Sequence, residues 1–70
     1  MRVNRQMLNV QLEWLNNMLV NRGVEHTLHI ERFNGFTSVK NDIGETIAVG
    51  TPLEVYNQIE VVISVMYSVK

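Results

Sequence analysis

The chain has no cysteine, a single proline at Pro52, and no apolar run longer than three residues, as in Val61-Val62-Ile63. Without cysteine there is no disulfide framework, no thiol nucleophile and no cysteine-based zinc site. The short apolar runs fall far below the roughly 20 residues that cross a bilayer, and the first residues hold no apolar signal core. A cytosolic location without membrane contact is therefore the expectation. Charge is also sparse: six Lys and Arg stand against seven Asp and Glu, a net of −1. Arg2 and Arg5 gather some positive charge at the start, but no basic field of the kind that holds a phosphate backbone exists, so a nucleic acid is not the expected partner.

What is present is one small core. Seventy residues with 46% apolar content leave room for a single domain, 1–70. A chain of this length rarely buries enough apolar surface to be stable unaided, so a homo-oligomer is expected.

Apolar periodicity divides the chain into five elements. From Val3 to about Asn21, Leu8, Leu12, Leu15 and Leu19 recur at helical spacing, widened by Met7, Trp14 and Met18, with Arg5, Asn9, Glu13 and Asn16 opposite. Gly23 supplies the stop. Glu25 to Phe33 alternates as a strand, and Asn34-Gly35 suits a two-residue hairpin that sets Phe33 against Phe36, Glu31 against Ser38 and Ile30 against Val39. A three-residue loop at Asp42-Ile43-Gly44, with Gly44 left-handed, pairs Asn41 with Glu45; unbroken alternation then sets Val39 against Ile47 and Thr37 against Val49.

The inner face of this meander is expected to hold Leu28, Ile30, Val39, Ile47 and Val49. The outer face holds Thr27, His29, Glu31, Phe33, Phe36, Ser38, Lys40, Thr46 and Ala48. Thr51-Pro52-Leu53-Glu54 reads as a capping box with proline at the first helical position, opening a second helix along Val55, Ile59, Val62 and Met66. The β-branched run Val61 to Val69 leaves an extended strand as the competing reading there. The fold class is α+β: helix, three-stranded antiparallel meander, helix (αβββα), with both helices on one face of the sheet.

Chemistry-bearing patterns are few. His26 and His29 fall on opposite faces of a strand, so they form no metal pair. No nucleophile elbow occurs, and the glycines at 23, 35, 44 and 50 sit at turn and cap spacing and match neither nucleotide fingerprint. No catalytic residue, metal or cofactor is assigned, and the chain reads as a non-enzyme. For binding, Arg5, Arg22, Arg32 and Lys40 can meet a small anionic ligand, with Trp14 and Tyr56 as stacking surfaces. Phe33 and Phe36 on the sheet, with Val62, Met66 and Tyr67 on the last helix, are the candidate interface residues. The eight asparagines suit turns, helix surfaces and uncharged polar pockets equally.

Three stretches together carry a resemblance: Leu15-Asn16-Asn17 running to Gly23, a glycine-containing meander, and Gly50-Thr51-Pro52-Leu53-Glu54-Val55-Tyr56-Asn57-Gln58-Ile59. In these the chain resembles very short accessory proteins encoded by bacteriophages and prophages. Asn41-Asp42-Ile43-Gly44 stands where such proteins commonly have Gly-Gly. The resemblance implies a viral accessory, counter-defence protein that acts by binding. One mechanism is sequestration of a nucleotide-like immune signal by an oligomer in the host cytosol. The alternatives are inhibition of a host enzyme docked on the sheet face or edge, and a small virion component.

Overall fold

The computed structural model describes residues 2–24, 27–33 and 35–68. Helix α1 spans Arg5–Asn21, strands β1, β2 and β3 span Leu28–Phe33, Phe36–Asn41 and Thr46–Gly50, and helix α2 spans Pro52–Ser68. The strands form one antiparallel sheet in the order β1-β2-β3, and the helices cover one of its faces. This is the expected αβββα arrangement. The result is a flat two-layer body with extents of 36 × 28 × 16 Å.

Each boundary has a local cause. Asn4 caps α1, its side chain accepting from the Met7 amide at 2.8 Å. At the other end the Val24 amide donates to Leu19 O at 2.9 Å and the Gly23 amide to Val20 O at 3.0 Å, which satisfies two terminal carbonyls. The capping box of α2 is closed in both directions. The Glu54 amide donates to Thr51 Oγ1 (3.3 Å) and the Thr51 amide to Glu54 Oε1 (3.1 Å). The Thr51 amide first, and the Thr51 side chain second, hold the Glu54 carboxyl below the usual carboxylate range by hydrogen bonding to it. The helix continues through Ser68, so the extended reading of Val61 to Val69 is replaced by helix over the described part; Val69 itself lies outside the described residues.

The first hairpin has the expected register, with Phe33 opposite Phe36, Glu31 opposite Ser38 and Ile30 opposite Val39. Asn34 of its turn, and Glu25 and His26 of the expected longer strand, lie outside the described residues. The second loop is also as expected, with the Asn41 amide donating to Glu45 O at 3.0 Å and Gly44 at φ +87°. Beyond it the register departs. Lys40 pairs with Thr46, but Val39 pairs with Ala48, Ser38 with Val49 and Thr37 with Gly50, because β3 carries a bulge.

The extra residue reverses part of the expected pattern. Ala48, expected outside, is 3% exposed, whereas Val49, expected inside, is 55% exposed and Ile47 is 45% exposed. The space over β3 is already filled by Val55 and Ile59 of α2, both fully buried, and a methyl group suits the room left beneath them. At the end of β3, Gly50 has φ +148°, and an added Cβ would stand 3.0 Å from Glu54 Cβ, so strand and helix can join this tightly only through glycine.

The core joins Leu8, Leu12 and Leu15 of α1 to Val39 and Ala48 of the sheet and to Val55, Ile59 and Ile63 of α2. Polar side chains pin its margins. Asn16 donates through Nδ2 to Leu28 O (3.0 Å) and accepts the Leu28 amide on Oδ1 (2.8 Å), tying α1 to the edge strand as another strand would. Gln11, 6% exposed, donates through Nε2 to Tyr56 O and to Glu60 Oε1, both at 3.0 Å, across the helix pair.

Candidate binding site

The expected ligand residues divide between the two flanks of α1. Arg5 projects from the first turn toward β1, where Arg32 and His29 on the edge strand and Asn9 on the next helical turn line the same open cleft of about 350 Å³. Its floor is apolar, built from buried Leu12 and half-buried Ile30. No carboxylate among the described residues lines this cleft. Among the described residues neither Arg5 nor Arg32 has an ion-pair partner. Two guanidinium groups, an amide and an imidazole over an apolar floor can grip an anion and seat an apolar or planar body beside it. His29 is shared: its Nε2 also lies 3.4 Å from Glu31 Oε1.

Trp14 and Tyr56 lie elsewhere. They line a groove of about 380 Å³ between α1 and α2 with Met7, Val10, Gln11 and Glu60. The Trp14 ring meets Tyr67 edge to face, centroids 6.3 Å apart at 84°. The charge on the groove is Glu60, which Gln11 already engages. Among the described residues no cation lines this groove, and these aromatics do not complete the arginine cleft.

The other candidates disperse further. Lys40 sits on the outer face of the sheet with its Nζ 3.1 Å from Glu31 Oε2, and this ammonium, chiefly through that hydrogen bond, holds the Glu31 carboxyl below the usual carboxylate range. Arg22 reaches the end of α2 and donates to Met66 O. Phe36 is exposed on the outer sheet face, and the side chain of Phe33 lies outside the described residues. Val62 and Met66 are half-buried against the chain's own core, while Tyr67 is 60% exposed.

Two amides, Gln11 and Asn16, hold the scaffold in place. Asn16, expected opposite the apolar stripe, is half-buried against Leu28, and Gln11 borders the stripe; nothing in the spacing tells a buried amide from a solvated one. Among the described residues no group of three or more His, Asp or Glu lies close enough together to hold a metal ion, and no helix is long and apolar enough to cross a membrane. No protein-family model matches the chain, nor does any curated protein or solved structure.

Proposed function

We propose that the chain is a non-enzymatic binding protein that holds a small phosphate-bearing ligand in the cleft between α1 and β1 and works as a homo-oligomer. The observation that carries this reading is the meeting of Arg5 and Arg32, both without a carboxylate partner among the described residues, beside Asn9 and His29 in one cleft. Surface arginines ordinarily find an acid or stand apart, whereas two left unneutralised over buried Leu12 favour a ligand that brings its own negative charge. A volume near 350 Å³ lies in the range of small-molecule sites. Together with the resemblance to phage accessory proteins, this supports sequestration of a nucleotide-like signal in the host cytosol. The alternative, a host enzyme docked on the outer sheet face, has less support, because Glu31 and Lys40 are already paired there.

The test is calorimetric titration and thermal unfolding with pyrophosphate, cyclic dinucleotides and adenosine diphosphate ribose. A binder raises the unfolding midpoint by mass action, and Arg5→Ala or Arg32→Ala should abolish that rise while shifting the unliganded midpoint by no more than a degree or two, since both side chains are exposed. No response to any of these compounds would overturn the reading, as would a response that survives both substitutions.

A further inference from the structure

The outward face of the helix pair is the second unusual surface. Val10 is 58% exposed, Trp14 52% and Tyr67 60%, and Met7 and Tyr56 line the same groove half-buried. We propose that this face is the contact between two copies of the chain, with Val10 and Trp14 of each copy entering the groove of the other. The proposal gives the oligomer of the preceding section a surface and does not depend on which ligand, if any, fills the arginine cleft.

Three observations favour a second copy over another occupant. The first is charge. Among the described residues the groove is lined by apolar and uncharged polar groups except for Glu60, whose carboxylate already accepts from Gln11. These described residues offer no cation to an acidic or phosphate-bearing partner, whereas two mainly apolar faces, each with its one carboxylate held at the side by Gln11, suit each other in an isologous contact.

The second is area. Two 17-residue helices are each about 26 Å long, and side by side at roughly 10 Å spacing they form a strip of about 500 Å² in projection. Rolled over protruding side chains, that approaches the roughly 800 Å² per partner of a standard stable interface. The third is need. The molecule is one helix layer on one sheet, 16 Å thick in its shortest dimension, with no cysteine to brace it. Pairing through the helices gives a sheet-helix-helix-sheet stack whose middle is covered on both sides.

Sedimentation velocity on the full chain without added ligand, from nanomolar to high micromolar protein, tests this alongside the emission of Trp14, the single tryptophan. The expected result is a monomer–dimer transition, with Trp14 emission moving to shorter wavelength at the same midpoint. Val10→Glu should weaken dimerisation at least about a hundredfold, because each dimer would bury two unpaired carboxylates, while the monomer keeps its helix signal. Tyr67→Glu on the same face is the second variant should Val10→Glu lose that signal, and Phe36→Glu on the outer sheet face should leave the dimer unchanged.

A wild-type chain that stays monomeric at every concentration would overturn the proposal. So would undiminished dimerisation of a folded Val10→Glu or Tyr67→Glu, or Trp14 emission that is flat through the transition. The arginine cleft is judged separately, by whether Arg32→Ala loses its ligand while sedimenting as wild type.

Discussion

The two flanks of α1 are built from one helix and face different chemistry. Toward β1 the helix presents Arg5 and Asn9 to an edge strand carrying His29 and Arg32, and the result is an open, positively charged cleft. Toward α2 it presents Met7, Gln11 and Trp14 to Tyr56 and Glu60, and the result is a mainly apolar groove whose one charge among the described residues, Glu60, accepts from Gln11. From Arg5 to Trp14 is nine residues, about 2.5 turns, so the two side chains leave opposite sides of the helix. A cation and a ring that are complementary on paper are thus kept apart by helix geometry. Cation and stacking partner for one ligand have to be sought on the same flank or on different subunits.

Leu12 is the sharpest way to break the comparison, because it underlies the charged flank and belongs to the shared core at 7% exposure. Leu12→Ala should destabilise the chain by about 2–5 kcal/mol, measured by denaturant unfolding. The cavity left beneath Arg5 and Arg32 should weaken anion binding even where the chain is still folded. If ligand binding at full folding were untouched, the cleft's floor would have no part in holding the ligand.

Gln11 tests the other flank with a smaller effect. Its amide is buried and bonded to both Tyr56 O and Glu60. Gln11→Ala should cost about 1–3 kcal/mol in unfolding free energy, since it removes two hydrogen bonds and leaves Glu60 unengaged beside the groove. The charged flank should be unmoved, so anion affinity measured on the folded variant should equal that of the wild type. A parallel loss of anion binding would mean that the flanks communicate through α1.

Much of the scaffold beneath these flanks was legible in the sequence. Element order followed from periodicity, the first hairpin register from Asn-Gly between alternating residues, and the start of α2 from Thr51 and Glu54, because each depends on neighbours in sequence. The bulge in β3 was not legible. A period-two pattern assumes that every residue pairs, and the packing of Val55 and Ile59 over the strand, which favours Ala48 beneath them, is a tertiary fact. The candidate site was half legible for the same reason. Arg5 and Arg32 are 27 positions apart and meet because Asn16 fastens α1 to the first residue of β1, a role its residue type does not announce.

The outer face of the sheet supplies the smallest effect and a control for the groove between α1 and α2. Glu31 and Lys40 lie 3.1 Å apart there, about one-third exposed, and solvent and salt screen such a pair. The folded-state carboxyl of Glu31 titrates below its unfolded value, so its contribution to stability is present above the ordinary carboxylate pKa of about 4.5 and is lost as pH falls through the lowered folded value. Glu31→Gln should therefore differ slightly from wild type in unfolding midpoint at neutral pH, and that difference should vanish as the pH is taken below the carboxylate range or as salt is raised. A difference that persisted at low pH would mean that Glu31 acts through packing over Ser38, the residue opposite it in β2, rather than through its charge. Dimerisation should ignore the substitution, because the groove between α1 and α2 does not include this face, whereas anion binding is open to a small change through His29, which lines the cleft and touches Glu31.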